Sequence, residues 1–270
     1  MSFSIFLLFK YKYIDKIPEL TKSIELCLGK AVHESLEWLY REVKKNKIPS
    51  VDELIINYSE SWKKNYDSDD LVVNHNLTPK DYFNKGVQFL LSYYKKHHPF
   101  DDNTIDIEKR IVVRLDQTGN YLMQGFIDRL AYNIQENRYE IHDYKTSNSI
   151  PTQEKIDTDK QLALYSIAIK ELFGEEKEVV LIWHYLAHDL KIKSKRTPEQ
   201  LANLKIETLE LIKKIESTER FPPQVSKLCD WCEYKRICPA WGNKPGRYDT
   251  QKKIEDFKNI DNKNGPLDIW

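Results

Sequence analysis

Two aspartates and a lysine within residues 125–146, GFIDRLAYNIQENRYEIHDYKT, are the side chains of this sequence best suited to chemistry. The stretch reads as two strands joined by a short polar turn, with Asp128 in the first strand and Asp143 ending the second. Lys145 follows two positions later. Because side chains two apart on a strand point to the same face, we expect Asp143 and Lys145 side by side, with Tyr144 facing the other way. This pattern favours a site that binds a metal ion and water over a purely structural role in packing.

Phosphodiester hydrolysis is the chemistry that such a group could perform. It needs an attacking hydroxide, neutralisation of phosphate charge and stabilisation of the leaving oxygen, and divalent metals held by carboxylates supply all three. Mg²⁺ and Mn²⁺ prefer oxygen ligands and keep several waters, so two aspartates suffice. An isolated D-x-K is common, and surface charges on a half-exposed sheet would explain it equally well. Here it also follows a strand carrying G-x-x-D and precedes a helix with Gln161 and Tyr165 four apart on one face.

The elements that must position these residues alternate between helical and strand periodicity. Hydrophobic patterns with a period of 3.6, and with a period of two, predict an antiparallel meander flanked by helices. A crossover helix stopped by Gly174 then leads to a fourth strand, which makes the sheet mixed. The predicted helices are 26–45, 51–65, 78–97, 157–173 and 197–218, and the predicted strands are 105–115, 121–134, 139–146 and 178–189.

The domain organisation predicted from these patterns is one domain with a polar tail. The basic run 191–196 is expected to be a solvated loop or an edge strand, although its charges could also contact phosphates. The abrupt start leaves room for an absent upstream segment. The domain covers 1–241, with a helical part 26–100, a core 101–190 and a C-terminal helix and cysteine lobe 197–241, and the tail is 242–270.

Composition limits the classes of function. Lys+Arg and Asp+Glu both number 42, so no global basic field indicates a nucleic-acid partner and any such binding must come from local patches. No run of 18 apolar residues exists, so no membrane partner is expected and a cytoplasmic location is the default. In that reducing compartment the cysteines are expected to be free or metal-bound. Cys229, Cys232 and Cys238 form C-x2-C-x5-C-P, and three thiolates need a fourth ligand for a zinc or iron–sulfur site.

On these motifs the chain resembles the PD-(D/E)XK nuclease superfamily, in particular its RecB-like branch. That branch also includes the AddAB nuclease domains and the nucleases of CRISPR spacer acquisition. The matching pieces are GKAVHESLEWLY around His33, GFIDR around Asp128, EIHDYKT around Asp143 and Lys145, and QLALY around Gln161 and Tyr165. They span 29–165, and the cysteine segment extends the match to about residue 241.

The resemblance implies a restriction-endonuclease-like α/β core with a helical insertion and a C-terminal cysteine-bearing lobe. It implies a deoxyribonuclease dependent on Mg²⁺ or Mn²⁺, in which Lys145 positions the attacking water. From helical spacing alone, we expect His33 to be a partly buried residue whose ring nitrogens have hydrogen-bond partners. The resemblance instead implies that His33 is a metal ligand. The other implied ligands are Asp128, Asp143 and the carbonyl of Tyr144, and the implied DNA-facing residues are Gln161 and Tyr165.

Two further residues gain a role from the resemblance. Glu108 matches an acidic position that some members place near the metal, and solvation of an edge strand explains it equally well. Arg129 is expected to form a supporting ion pair.

The resemblance also implies a [4Fe-4S] cluster at the cysteine trio, with a fourth cysteine near the N-terminus. That position falls near Ile5, where this sequence has no cysteine, and Cys27 is the only other one. Either Cys27 substitutes, or the fourth ligand is not a cysteine, or the N-terminus has been lost or has diverged. Zinc is the alternative metal.

The function expected from the resemblance is a DNA exonuclease of repair or recombination, acting on single strands or duplex ends. The sequence lacks a G-x-x-x-x-G-K-[ST] loop, so a helicase would be a separate partner. A CRISPR-adaptation nuclease, working with other adaptation proteins, shares every motif. A DNA-binding module that keeps the fold without cleaving, and a zinc-stabilised interaction protein, are the rivals from other classes.

Overall fold

The computed structural model describes residues 5–19 and 21–242, and the chain forms two compact units. The core unit comprises Ile24–Asp67 and Asn74–Glu216. The terminal unit comprises Met1–Ser23, Ser68–Val73 and Ser217–Trp270, of which residues 1–4, 20 and 243–270 lie outside the described ranges. The predicted polar tail falls almost wholly in that outside segment. The predicted boundaries of the nuclease domain stay a prediction.

The core unit contains a five-stranded sheet in the order β1-β2-β3-β4-β5. β3 pairs with β4 in parallel through a helical crossover, whereas the other neighbouring pairs are antiparallel. The predicted α/β class, meander and mixed sheet are therefore confirmed, and the basic run contributes an edge strand. The strands are β1 Thr104–Arg114, β2 Leu122–Asn133, β3 Arg138–Lys145, β4 Glu178–Tyr185 and β5 Leu190–Ser194.

Seven α-helices occur in the described ranges, six of them in the core unit. Three begin with a capping box, which satisfies backbone N–H groups that have no partner within the helix: Ser50 with Glu53, Thr78 with Asp81, and Thr197 with Gln200. The helices are α1 Ile5–Phe9, α2 Ile24–Lys44, α3 Val51–Asn65, α4 Pro79–His97, α5 Gln153–Asp157, α6 Gln161–Phe173 and α7 Pro198–Glu216.

Helix α6 is apolar on nearly every side because it lies between the sheet and α7. Ile141, Leu181 and Trp183 from β3 and β4 are buried in the same apolar cluster as Leu162 and Ile169 of α6. On β3 and β4, these positions share a face with Asp143 and Lys145, because strand side chains alternate. The face of the sheet that packs against α6 therefore also carries Asp143, near the C-terminal end of β3.

A fork in the sheet separates β2 from β3. Their pairing runs from Asn133↔Arg138 only as far as Arg129↔His142. Beyond that point β2 continues alongside β1, and β3 continues alongside β4 to Lys145↔Tyr185. The next residues of the two strands are Asp128 and Asp143, so the two carboxylates lie where the strands part.

Two predicted boundaries are wrong. The helix predicted over 157–173 begins at Gln161, after the separate helix α5. Between the two helices, the guanidinium of Arg196 donates hydrogen bonds to the carbonyls of Ile156 and Asp159, so these carbonyls are satisfied without a continuous helix. The strand predicted over 178–189 ends at Tyr185 and is followed by a short 3₁₀ turn. All other predicted helix and strand boundaries lie within two residues of those observed.

The terminal unit is built from both ends of the chain. Tyr11, Tyr234 and Ile237 form its buried apolar cluster, and Cys232 packs against them. The hydroxyl of Tyr234 donates to the carbonyl of Ile17 at 2.8 Å. Contacts within this unit therefore join the segment at residues 7–17 to the cysteine segment.

Candidate active site

Two backbone and side-chain contacts fix the carboxylates at the fork. The backbone N–H of Tyr144 donates to Oδ2 of Asp128 at 2.9 Å, so it bridges the gap between β2 and β3. The ammonium of Lys145 donates to Oδ1 of Asp143 at 3.0 Å. The structure thus places Asp143 and Lys145 side by side, with Asp128 across the fork from them.

His33 reaches the fork from α2. Its Nε2 lies 2.7 Å from the carbonyl oxygen of Tyr144, and its Nδ1 lies 3.4 Å from Oδ2 of Asp128. A neutral imidazole donates from only one nitrogen, and both neighbours are acceptors. A ring nitrogen, a carbonyl and a carboxylate therefore face one another, and such a group of acceptors suits a cation.

Asp143 is the most buried acid at the fork. Burial raises the pKa of Asp143 to about 6; the positive charge of Lys145 opposes this rise, and the negative charge of Asp128 adds to it. Its Oδ2 lies 2.8 Å from the Lys145 ammonium but accepts no hydrogen bond. Burial would lower the pKa of Lys145, yet the charge of Asp143 and the hydrogen bond to it keep that pKa above its usual value.

Glu108 is a third carboxylate beside the fork. Its neighbours Ile107 and Lys109 pair with Arg129 and Ile127, so Glu108 lies opposite Asp128 across β1 and β2. Burial, together with the negative charges of Asp128 and Glu37, raises the pKa of Glu108 to about 7. Its φ of 48° lies in the left-handed region, which is uncommon for a residue with a side chain. Glu108 thus lies across from Asp128 on β1, which is an edge strand of the sheet.

Tyr165 and Gln161 approach the fork from α6. Gln161 is exposed, and its amide donates to the buried hydroxyl of Tyr165 at 3.3 Å. Burial raises the pKa of Tyr165, and the charges of Asp143 and Asp128 contribute to that rise. The phenol ring occupies the space where a Cβ at Gly125 would lie. The helix therefore places one exposed amide and one buried hydroxyl beside the acids.

A buried polar network supports the opposite side of β3. The guanidinium of Arg129 is ion-paired with Asp102 and donates to the Tyr144 hydroxyl at 3.0 Å and to Nδ1 of His142 at 2.9 Å. The Tyr144 hydroxyl also lies 3.1 Å from that of Tyr93. Hydrogen bonds to its hydroxyl therefore fix the side chain of Tyr144 on one face of β3, while its backbone N–H donates to Asp128. The supporting ion pair predicted for Arg129 is present.

The match to a family model covers most of the chain. The model of the PD-(D/E)XK nuclease superfamily matches residues 7–239. The chain belongs to the PD-(D/E)XK nuclease superfamily. Its α/β architecture with a mixed sheet is consistent with the restriction-endonuclease-like fold of that superfamily, and a nuclease-type function follows from membership.

Other comparisons add little to this assignment. One solved structure similar to the chain is described as the crystal structure of SSO0001, at 15% identity and a TM-score of 0.36, with 87% of this chain and 95% of that chain covered. A search of curated proteins finds no match. No helix within the described ranges is both long enough and apolar enough to cross a membrane.

PD-(D/E)XK nucleases generally use divalent metals such as Mg²⁺ or Mn²⁺, and the donors at the fork fit such a metal. They are carboxylate oxygens, one carbonyl and one imidazole, all of which are ligand types that these metals accept. Among the residues that the structure describes, no group of three or more His, Cys, Asp or Glu side chains is arranged so that these side chains alone could hold a metal ion. Mg²⁺ does not require one, because it binds through one or two carboxylates and keeps several waters.

The cysteine trio of this superfamily member lies in the terminal unit, and all three thiols are free. Burial raises the pKa of the Cys232 thiol, and Cys229 and Cys238 lie close enough to contribute. Cys27 belongs to the core unit instead, where it is buried on α2. The described residues hold no complete metal-binding group here either, so the cluster and its fourth ligand stay predictions.

Two acidic residues near the fork are not among those that the sequence motifs indicate. Glu37 follows His33 by one helical turn and lies near Glu108, so the four-residue spacing on α2 was the available signal. Asp159 accepts from the backbone N–H of Leu162 at 3.2 Å, which caps α6, and its charge adds to the raised pKa of Lys145. Its signal was an aspartate just before the helix.

Proposed function

We propose that this chain is a deoxyribonuclease of the RecB-like branch that requires Mg²⁺ or Mn²⁺ and hydrolyses phosphodiester bonds. The observation that supports the proposal is the fork, where Asp128, Asp143 and Lys145 meet His33 and the carbonyl of Tyr144. A bound metal would supply Lewis-acid stabilisation of phosphate charge and a lowered pKa for its water. Asp128, Asp143, His33 and the carbonyl of Tyr144 would hold it, with Glu108 as a further carboxylate.

Lys145 is the residue to which we assign positioning of the nucleophilic water. Its ammonium is already held beside Asp143, and its side chain is 35% exposed, so one side of it remains open to solvent. An ammonium there would hydrogen-bond the water through a lone pair and leave its O–H bond free to lose a proton. The negative charges of Asp143, Asp128 and Asp159 raise the pKa of Lys145, so we assign it a charged role and not that of a general base.

Gln161 and Tyr165 are the residues that we assign to the scissile strand. The Gln161 side chain is exposed at the start of α6 and is joined to Tyr165 by a hydrogen bond. An amide can donate to a phosphate oxygen while its partner hydroxyl fixes its orientation. A full positive charge is not needed for this contact, so it would add orientation with little dependence on salt.

The biological role that we propose is an exonuclease of DNA repair or recombination. No observation on this chain favours a CRISPR-adaptation role over it. A metal-bearing cysteine trio, as a [4Fe-4S] cluster or a zinc site, is part of the proposal, and visible absorption by anaerobically purified protein would distinguish iron–sulfur from zinc.

The experiment that tests the proposal is cleavage of end-labelled DNA by anaerobically purified protein. Single-stranded and duplex substrates are incubated with Mg²⁺, Mn²⁺ or EDTA. The proposal predicts cleavage with either metal, none with EDTA, and successive shortening from an end. Cleavage in EDTA would contradict the metal requirement. Absence of cleavage of every DNA under all metal conditions would leave a binding module as the function.

A further inference from the structure

Tyr144 is the residue through which the backbone of β3 meets the active site. The pairing of β2 with β3 ends at His142, two residues earlier, while β3 stays paired with β4 on its other edge. The N–H of Tyr144 donates to Asp128 at 2.9 Å, and its carbonyl oxygen lies 2.7 Å from Nε2 of His33. On the fork side, the backbone of Tyr144 is therefore held by side chains of the site itself, so its exact position depends on what fixes the rest of the residue.

The side chain of Tyr144 belongs to a closed ring of buried contacts. Its hydroxyl oxygen lies 3.0 Å from Nε of Arg129 and 3.1 Å from the hydroxyl oxygen of Tyr93. The Tyr93 hydroxyl lies 2.7 Å from that of Tyr40, and Cζ of Arg129 lies 4.2 Å from the centre of the Tyr40 ring. All four residues are at most 3% exposed. Each of them is thus held by two others, and we call Tyr40, Tyr93 and Tyr144 the tyrosine chain.

The hydrogen bonds of the tyrosine chain run in one direction. A guanidinium has donors and no acceptor, so the Tyr144 oxygen accepts from Arg129. The positive charge at that oxygen polarises the Tyr144 hydroxyl and makes it the stronger donor, here to Tyr93, which in turn donates to Tyr40. Burial raises the pKa of both Tyr93 and Tyr144, so these phenols keep the protons that the hydrogen bonds need. Loss of the Tyr93 hydroxyl would therefore leave the buried Tyr144 proton without its acceptor.

Helix α2 reaches Tyr144 at two points. His33 contacts the carbonyl of Tyr144, and Tyr40 reaches its hydroxyl through Tyr93. Tyr40 follows His33 by seven residues, which is two helical turns, so both side chains lie on the same face of α2. Tyr93 belongs to α4, so the tyrosine chain joins α2 and α4 to β3. Because α2 supplies His33 and β3 supplies Asp143, the chain sets the spacing between a ligand from the helix and a ligand from the strand.

A purely structural hydroxyl elsewhere in the core provides the comparison. Tyr58 is fully buried, and its hydroxyl donates to the carbonyl of Phe83 at 3.1 Å, which joins α3 to α4. Those two helices supply none of the ligands assigned to the fork. Loss of such a hydroxyl should lower stability and change nothing at the metal. Tyr93 differs, because the group that it bonds belongs to the residue whose carbonyl faces His33.

We propose that Tyr93 is a positioning residue of the active site: through the Tyr144 hydroxyl it fixes the Tyr144 carbonyl and N–H, and so sets the affinity of the fork for its divalent metal. This inference rests on the proposed metal dependence. Residues that orient metal ligands without touching the metal contribute about 10–100-fold to metal affinity. Tyr93 acts on one carbonyl ligand through one further side chain, so we expect an effect of about tenfold.

The test measures Mn²⁺ binding in the absence of DNA. The electron paramagnetic resonance signal of free Mn²⁺ is followed as protein is added, and Asp128→Asn identifies the part of the binding that belongs to the fork. Tyr93→Phe removes one hydroxyl, keeps the ring, and should weaken that binding about tenfold. Tyr58→Phe is the matched control and should leave the Mn²⁺ affinity unchanged. In the cleavage assay, Tyr93→Phe should raise the half-saturating Mn²⁺ concentration about tenfold and leave the single-turnover rate at saturating Mn²⁺ close to wild type.

A second background separates action through Tyr144 from a general loosening of the core. In Tyr144→Phe protein there is no hydroxyl at residue 144 for Tyr93 to orient, so adding Tyr93→Phe should change the Mn²⁺ affinity little further. Denaturant unfolding in EDTA identifies any loss of folding. If Tyr93→Phe does not fold, Tyr40→Phe tests the same chain one link farther from the fork and should weaken Mn²⁺ binding by less than about tenfold.

Two results would overturn the inference. One is an unchanged Mn²⁺ affinity in folded Tyr93→Phe, or in Tyr40→Phe where it takes that place, and the other is an equal loss of affinity in the Tyr144→Phe background. If the wild type cleaves DNA with Mn²⁺, either result leaves the proposed function standing. Mn²⁺ binding that depends on Tyr93 in a protein that cleaves no DNA would reject the nuclease function alone. Absence of Mn²⁺ binding at the fork of the wild type would reject both proposals.

Discussion

A Cβ atom at Gly125 would lie 2.4 Å from Cε1 of Tyr165 and 2.6 Å from its hydroxyl oxygen. Contacts of that length do not occur between unbonded atoms, so the absence of a side chain at Gly125 is what allows the ring to lie against β2. The position of the Tyr165 hydroxyl beside Asp143 and Asp128 therefore depends on a glycine in the neighbouring strand.

Gly125→Ala should displace the Tyr165 ring and lower kcat/KM about 100-fold, the cost of a misplacement of about 1 Å in an active site. Steady-state kinetics on DNA would measure the effect. In a Tyr165→Ala background the added methyl has no ring to displace, so Gly125→Ala should change kcat/KM little further. Equal effects in both backgrounds would show that Gly125 does not act through Tyr165.

Replacement of Arg129 should destabilise the fold much more than replacement of its acidic partner. Arg129 is 1% exposed and holds several buried acceptors, so Arg129→Met should lower the free energy of unfolding by about 3–5 kcal/mol. The Asp102 side chain is 37% exposed, so Asp102→Asn should cost about 1 kcal/mol or less. Denaturant unfolding would measure both. Similar losses for the two variants would contradict the account of the network.

Acid should destabilise the core unit through its buried histidines. Burial lowers the pKa of His97 to about 4 and holds those of His142 and His184 well below their usual value. The unfolded chain therefore binds more protons below pH about 6.5, so stability is full above that pH and falls as the pH drops towards 4.

The variant His97→Gln should flatten this pH dependence in denaturant unfolding, because a glutamine side chain carries no titrating proton. The exposed His75 supplies the control: His75→Gln should leave the wild-type profile in place. A wild-type free energy of unfolding that does not change between pH 7.5 and 5 would be inconsistent with neutral buried histidines.

Removal of the Lys145 charge should reveal how much the buried Asp143 depends on it. In EDTA at pH 8, Lys145→Met leaves an ionised, buried carboxylate without its cation. The free energy of unfolding should fall by about 1–3 kcal/mol, which is less than for a fully buried ion pair because Lys145 is partly exposed. The pKa of Asp143 is about 6, so at pH 5 the carboxyl is largely protonated and the loss should shrink. Lys145→Met combined with Asp143→Asn should recover stability at pH 8, and no recovery would count against the pair.

The elements of the fold follow largely from local patterns. Capping residues Ser50 and Thr78 mark two helix starts, and alternation along β3 is enough to place Lys145 beside Asp143. The break between α5 and α6 could not be predicted, because residues 153–160 contain no glycine or proline and the break depends on Arg196, far along the chain.

The site was predictable in its residue types but not in its geometry. The fork at Asp128 and Asp143 depends on where the pairing of β2 with β3 ends, which no local pattern determines. The left-handed backbone of Glu108 and the contact between Gly125 and Tyr165 likewise depend on packing between distant segments. The resemblance supplied His33, whose contact with Tyr144 joins residues 111 positions apart.

Single-turnover cleavage of end-labelled DNA by wild type and Asp128→Asn tests the central claim most directly. Both proteins are measured in Mn²⁺, with Asp116→Asn, in the exposed hairpin turn, as the matched control. A carboxylate that holds the metal contributes several kcal/mol to stabilising the transition state, so Asp128→Asn should lower the cleavage rate at least about 1000-fold. Its free energy of unfolding should not change, and Asp116→Asn should cleave DNA at the wild-type rate. Wild-type cleavage by a folded Asp128→Asn protein would contradict the assignment of the fork as the active site.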